Sequence, residues 1–271
     1  MVNLNRHNQM KRISIRRDIY LFLKSPDYGR FNDLSVHEKI IVLFKVLILT
    51  YIALILVKIP TLLLEKLDII SKISMKSDLV LNNIQTNYIN YKPYFLLSVI
   101  FSVPLLEEMS FRLFLNRFRV NYFIISVSII LGSFIFYSLK NIFWIPKSYL
   151  LLSIIGSIYI LIISALIGCM LYFIRNKIIR IEEFWNKNTG LIIYAVSILF
   201  ALGHIINLKF ENGDLIFFPL ILAPFLVYGL SFGYLRVRIG IIYSIALHFI
   251  LLTLHFGLPE LSIILKAYAH Q

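Results

Sequence analysis

Two acidic residues and an arginine stand inside one of the long apolar stretches of this 271-residue chain, in the segment Pro104-Leu-Leu-Glu107-Glu108-Met-Ser-Phe-Arg112. On a helix, Glu108 lies one turn before Arg112, which is the favourable order for an ion pair, and such a pair keeps both groups charged in a low dielectric. Glu107 points about 100° away from that face and lacks the arginine partner. A carboxylate without a cation partner is available as a general base.

Two later apolar stretches each contain a histidine. In Phe200-Ala-Leu-Gly203-His204, the Phe200 ring lies one turn before the imidazole on the same helical face. His248 lies near the middle of the last stretch. Ionisable groups at membrane depth cost at least about 2.5 kcal/mol each on insertion scales, so their presence indicates a function. The structural alternatives are a buried ion triad for the acids and arginine, and a hydrogen-bonded interfacial side chain for His204.

Apolar helices of membrane-spanning length must position these residues. Hydrophobic residues make up 59% of the chain, charged residues only 15%, and the mean hydropathy is +0.82. A bilayer core of roughly 30 Å needs about 20 mostly apolar residues in a helix. Seven stretches qualify, at 40–64, 93–116, 120–139, 148–174, 189–208, 215–235 and 239–258. We therefore predict an all-α fold, a polytopic membrane helical bundle with about seven transmembrane helices.

The basic residues predict topology and not a nucleic-acid interface. The net charge is +13 and the isoelectric point is about 9.7, but the cations lie in short segments between the apolar runs. With the amino terminus inside, these segments place seventeen Lys and Arg residues on the inner side and eight on the outer side. We therefore expect a multi-pass protein of the cell membrane with a cytoplasmic amino terminus, and no nucleic-acid partner. The single cysteine, Cys169, excludes an intrachain disulfide and a cysteine-based zinc site.

The chain divides into a basic leader at 1–39, an integral membrane domain at 40–258 and a short tail at 259–271. The leader is too long and too charged for a cleavable signal peptide, so we expect it to be retained in the cytoplasm. Within it, residues 10–24 alternate basic and apolar groups, a pattern typical of a helix that lies on an anionic leaflet. A solvated basic tail is the alternative.

The chain contains, in order, the motif Glu-Glu-x-x-x-Arg, the motif Phe-x-x-x-His and a further histidine on the last span. This order resembles that of the CPBP family, the CAAX-processing and bacteriocin-processing intramembrane proteases, also called the Abi family. The resemblance covers about 93–258, a CPBP-like core. It implies that Glu107 activates a water and that His204 and His248 complete the catalytic site, with Glu108 and Arg112 corresponding to the second glutamate and the arginine. The implied reaction is hydrolysis of a peptide bond. The implied partners are membrane lipids and a membrane-anchored peptide or protein substrate.

The resemblance leaves the cofactor open. A metal-free mechanism would use a water held between Glu107 and the two histidines. Alternatively, a zinc ion bound by His204, His248 and Glu107 would activate the water as a Lewis acid. The chain contains no His-Glu-x-x-His segment, so the familiar zinc helix is absent from the sequence.

One position departs from the family pattern. Four residues after His248, where the family usually has an asparagine or similar polar residue, this chain has Leu252, which cannot donate a hydrogen bond. Losing one such donor typically costs a factor of about 10²–10³ in rate, and Thr253 and Asn207 are the candidate substitutes. A catalytically impaired relative that acts as an immunity or scaffold protein is therefore an alternative. The other alternative function is that of a secondary transporter, because polar groups at mid-membrane also line transport paths. Against it, the seven predicted spans lack twofold internal similarity.

Overall fold

A computed structural model of the chain describes residues 15–26, 31, 34–67, 92–115, 118–139, 149–205 and 214–257. Within these ranges every regular element is helical and no strand occurs, which confirms the predicted all-α fold. The helices, in chain order, are α1 (Ile15–Lys24), α2 (Val36–Lys66), α3 (Lys92–Phe111), α4 (Val120–Leu139), α5 (Tyr149–Phe173), α6 (Arg175–Ile178), α7 (Ile181–Lys187), α8 (Thr189–Ile205), α9 (Phe218–Arg238) and α10 (Ile241–Leu252). A 3-10 turn at Asp214–Phe217 precedes α9, and a π-helical turn at Thr253–Gly257 follows α10.

Several helices are apolar along lengths that suit a bilayer. Val36–Lys66, Ile155–Phe173 and Phe218–Arg238 are long and apolar enough to cross a membrane, and Val120–Phe136, Thr189–His204 and Ile241–His255 are shorter apolar helices. Each of these six segments overlaps one of the stretches predicted to span. They support an integral membrane protein, and the total of seven spans stays a prediction.

Local sequence signals explain where helices begin and end. Ser35 caps α2 through a capping box, because the Glu38 amide donates to Ser35 Oγ at 3.3 Å and the Ser35 amide donates to Glu38 Oε2 at 2.7 Å. Helix α3 ends at Phe111, five residues before the limit predicted from hydropathy, so Arg112 lies in the turn that follows. The Arg112 amide still donates to the Glu108 carbonyl at 2.9 Å, which keeps the helical spacing of this pair.

Small residues bring the helices close together. An ideal Cβ at Gly229 of α9 would stand 3.0 Å from the Ser197 carbonyl oxygen of α8. Similarly, a Cβ at Gly132 of α4 would stand 3.1 Å from the Ile160 carbonyl oxygen of α5. Backbones that approach this closely are typical of helix pairs in membranes, where small residues line the interface. The contact at Gly229 sets the distance between α9 and α8, the helix that carries His204.

The last residues of α3 lead into an aromatic cluster. Trp185 of α7 packs against Phe114, Phe118 and Phe123, with ring centroids 5.3 to 5.6 Å apart. Edge-on and tilted aromatic pairs of this kind add stability beyond the area they bury. The cluster joins the end of α3, the start of α4 and the short helix α7. It therefore anchors the end of the helix that carries the two acids.

Candidate active site

The structure brings all five predicted site residues together from three helices. Glu107 and Glu108 lie in the last turns of α3, and Arg112 follows directly after that helix. His204 is the penultimate residue of α8, and His248 lies in the second half of α10. The site is therefore assembled from segments that are far apart in sequence.

Glu108 and Arg112 form the ion pair predicted from their spacing. Both side chains are fully buried, and Arg112 Nη1 donates to Glu108 Oε1 at 3.0 Å. The guanidinium also lies over two aromatic rings, 4.0 Å from the centre of Phe200 and 5.1 Å from that of Phe232. Cation–π contacts of this kind stabilise a desolvated arginine. Breaking a buried pair by removing one partner is strongly destabilising, so the two residues need each other.

Ser244 completes the surroundings of Glu108. Its hydroxyl is buried and donates to Glu108 Oε2, and it also lies 3.0 Å from the Phe232 carbonyl oxygen. Glu108 is thus held by a cation at one oxygen and by a hydroxyl at the other. This carboxylate is engaged on both sides, which distinguishes it from its neighbour Glu107.

His248 is oriented by Glu108 and by an aromatic ring. Its Nδ1 lies 3.2 Å from Glu108 Oε1, and its ring stacks on Phe232 with centroids 4.5 Å apart and an angle of 16°. A carboxylate next to Nδ1 assigns the donating hydrogen to that nitrogen and fixes the direction of the ring. The other nitrogen, Nε2, points at Glu107, with 3.7 Å between Nε2 and Oε2.

His204 is oriented in the same way by different groups. Its Nδ1 lies 2.9 Å from the Phe200 carbonyl oxygen, one turn back on α8. The Phe200 ring lies 4.5 Å from the imidazole, as its spacing predicts, and Phe225 of α9 stacks on the other side at 5.0 Å. His204 Nε2 also lies 3.7 Å from Glu107 Oε2.

Glu107 Oε2 is the point at which the three groups meet. The oxygen is buried and has no hydrogen-bond partner among the described residues, while the whole side chain is 26% exposed. The His204 side chain is 24% exposed and that of His248 is 7% exposed. A separation of 3.7 Å is too long for a direct hydrogen bond, so the Glu107 oxygen faces both imidazoles without being bonded to either. The acid and the two imidazoles therefore converge on one buried oxygen, while parts of the Glu107 and His204 side chains are exposed.

The donor types match a zinc site but the arrangement does not. Two imidazoles and a carboxylate are a known catalytic set for zinc. Among the described residues, however, no group of three or more His, Cys, Asp or Glu side chains is placed so that it could hold a metal ion. Of the two mechanisms that the sequence leaves open, the one considered below uses the protein's own groups and water, while His204, His248 and Glu107 are the residues that would hold a metal.

Of the two candidate substitutes for the missing asparagine, the structure describes only Thr253. Leu252 is the last residue of α10 and is half-buried. Thr253 Oγ1 donates to the Phe249 carbonyl at 2.8 Å, so its hydroxyl is engaged by the helix backbone. Asn207 lies outside the described residues.

Three further residues shape the site and were not predicted from the sequence. Ser244 stands four residues before His248, and that spacing on one helical face was a signal that could have indicated it. Phe225 carries no such signal. Arg236 of α9, counted above only as a topology signal, donates from Nε to the Arg112 carbonyl at 2.7 Å and from Nη2 to the Leu113 carbonyl at 2.6 Å. It thereby caps the turn that ends α3.

A comparison with known protein families found a match in the second half of the chain. Residues 172–254 match the family model described as type II CAAX prenyl endopeptidase Rce1-like. No curated protein and no solved structure matches the chain. The matched segment contains both histidines and begins after the helix that carries the acids. At the level of the family, it supports a CAAX-type membrane protease that acts on a membrane-associated protein. The resemblance to the CAAX-processing and bacteriocin-processing proteases is therefore confirmed, through the match of residues 172–254 to the Rce1-like family.

Proposed function

We propose that this protein is an intramembrane endopeptidase that hydrolyses a peptide bond of a membrane-associated substrate with a water activated by Glu107. One observation carries the proposal: Glu107 Oε2 lies 3.7 Å from Nε2 of both His204 and His248 and has no hydrogen-bond partner among the described residues. A buried carboxylate oxygen without a donor, facing two imidazoles, is the arrangement expected of a general base that works on a bound water.

In this mechanism the water donates one hydrogen to Glu107 Oε2 and the other to His204 Nε2. His204 can accept, since its Nδ1 is directed at the Phe200 carbonyl 2.9 Å away. The water oxygen then attacks the scissile carbonyl carbon while Glu107 takes the proton. Glu107 later delivers this proton to the departing amine, so that one amide and one water give an acid and an amine.

His248 has the surroundings of an oxyanion stabiliser. Glu108 lies 3.2 Å from its Nδ1 and accepts the hydrogen there, and in this proposal Nε2 also carries a hydrogen. That hydrogen would donate to the carbonyl oxygen as it becomes negative. Arg112 is bonded to the same carboxylate, so in this proposal the buried Glu108–Arg112 pair acts on the reaction through His248.

The test is cleavage of a prenylated peptide that ends in a CAAX sequence, presented to the purified protein in lipid. Glu107→Gln keeps the side-chain shape and removes the base, and we expect the rate to fall by a factor of about 10²–10⁴. His204→Ala should lower the rate similarly. Glu182→Gln, on the exposed face of α7, is the matched control and should leave the rate unchanged.

Equal cleavage by Glu107→Gln and the wild-type protein would refute this mechanism. One observation favours a second candidate function, an impaired relative that binds a partner without cleaving it, because Leu252 offers no hydrogen bond where the family usually has one. That candidate predicts peptide binding without cleavage in the wild-type protein, and binding unaffected by Glu107→Gln.

A further inference from the structure

Gly203, the residue directly before His204, is a glycine that the packing of the described helices does not require. It is exposed on α8, and no atom of the described residues lies within 4 Å of an ideal Cβ built on it. By contrast, a Cβ at Gly229 would stand 3.0 Å from the Ser197 carbonyl oxygen, so that glycine is needed for a helix contact. Gly203 also has an ordinary helical backbone, since Gly240 is the one described glycine with a positive φ. Neither packing nor backbone conformation therefore explains the glycine at position 203.

The missing side chain leaves a notch in one stripe of α8. Ile192 and Val196 lie eleven and seven residues before Gly203, which places both within about 20° of it around the helix axis. They are 8% and 6% exposed, so the stripe is packed along its earlier turns. At Gly203 the same stripe is open, and the helix backbone itself forms the surface. We call this open part of the stripe the Gly203 notch.

The Gly203 notch adjoins the proposed catalytic groups. His204 is the next residue, and its Nε2 faces Glu107 Oε2. The side chains of His204 and Glu107 are 24% and 26% exposed, so both are open in part to their surroundings. Ser197, which contacts α9, lies about 120° from Gly203 around the axis. The contact between α8 and α9 therefore leaves the notch uncovered.

Glycine at this position lowers the stability of the helix relative to alanine. It also allows another backbone to approach the helix closely. A scissile carbonyl must come within about 3–3.5 Å of the attacking oxygen, so a peptide substrate has little freedom to move away from the helix that carries His204. A lipid acyl chain is flexible and would lie against a larger side chain as readily as against glycine. The glycine therefore favours a peptide as the occupant of the notch.

We propose, on the basis of the proposed peptidase function, that the backbone of the peptide substrate crosses α8 at Gly203. Gly203 is then a substrate-contacting residue, and the lack of a side chain there admits the chain to Glu107 and His204.

The experiment compares Gly203 variants of the full-length protein in lipid, with the prenylated peptide that ends in a CAAX sequence as the probe. Gly203→Ala adds one methyl group in open space and favours the helix, so we expect the unfolding temperature to rise by about 1–3 °C. Its kcat/KM should nevertheless fall about tenfold, through a higher KM, because the methyl group obstructs the peptide.

Gly203→Leu adds a larger obstruction and should lower kcat/KM by a factor on the order of 10². The Kd of the peptide should rise by a similar factor, measured with Glu107→Gln also present so that binding is separated from cleavage. Ala195→Leu adds the same bulk at another exposed position of α8 and is the matched control. It should keep the kcat/KM and the Kd of the unsubstituted position.

Unchanged cleavage and unchanged peptide affinity in Gly203→Leu would overturn the proposal. A lower unfolding temperature of Gly203→Ala would overturn it too, because the glycine would then have a packing role. A wild-type protein that binds the peptide without cleaving it would instead refute the peptidase function. In that case the Kd values of the Gly203 variants would still decide whether the peptide crosses α8 at this residue.

Discussion

Glu107 and Glu108 are adjacent in the sequence but differ in the contacts that their carboxylates make. Glu108 is held by Arg112, Ser244 and His248, whereas Glu107 Oε2 has no hydrogen-bond partner among the described residues. The helical angle of about 100° between consecutive residues is what separates them. A single turn of α3 therefore carries one carboxylate that is bonded at both oxygens and one that is the proposed base.

We expect the stability of the protein to depend on the Ser244 hydroxyl. Ser244→Ala removes the donor to a fully buried carboxylate oxygen, and we expect it to lower the free energy of unfolding by about 1–3 kcal/mol. The loss of stability is measured by thermal unfolding in detergent, monitored by circular dichroism. Ser126→Ala is the matched control, because Ser126 is also fully buried but donates to the Met109 carbonyl, at 2.8 Å. A loss no larger than that of Ser126→Ala would show that Glu108 does not depend on Ser244.

The sequence predicted the residues of the site better than the contacts between them. The Glu108–Arg112 pair and the Phe200–His204 contact follow from four-residue spacing within one helix, so they could be predicted. The meeting of Glu107 with His204 and His248 depends on how α3, α8 and α10 pack, and no periodicity encodes that. Phe225, which stacks on His204 from α9, could not be predicted for the same reason.

At the scale of the elements, α9 holds two other helices by its last residues. Arg236 caps the turn after α3, and Arg238 binds Asp18 of α1. The positions of both arginines after an apolar stretch predicted a membrane boundary, which hydropathy detects well. Their partners lie more than 100 residues earlier in the chain, so local sequence rules could not identify them.

We expect the stability of the protein to depend also on the contact that Arg236 makes between α9 and the end of α3. Arg236→Met keeps the unbranched stem of the side chain and removes the donors to two carbonyl oxygens in the turn that ends α3. We expect the free energy of unfolding to fall by about 2–4 kcal/mol, since both hydrogen bonds come from a charged group. Chemical denaturation in mixed micelles measures the change. Arg180→Met, at an exposed position, should have almost no effect. Similar stabilities of the two variants would contradict the capping role of Arg236.

At the scale of the whole molecule, the topology remains a prediction from charge. Seventeen Lys and Arg residues lie in the segments assigned inside and eight in those assigned outside, which favours a cytoplasmic amino terminus and an external carboxyl terminus. We expect alkaline phosphatase, which is active only outside the cytoplasm, to be active when fused after Gln271 and inactive when fused after Lys187. Equal activity of the two fusions would refute this orientation and, with it, the odd number of spans.

The order of the helices along the chain has a consequence for synthesis. Glu107 is made early, whereas the second imidazole, His248, belongs to α10, the last α-helix of the described residues. Under the proposed mechanism, a polypeptide still emerging from the ribosome therefore lacks the group that stabilises the oxyanion until α10 enters the bilayer. Under the same mechanism, prematurely terminated products that lack α10 should be harmless to neighbouring proteins, because the proposed hydrolysis needs His248.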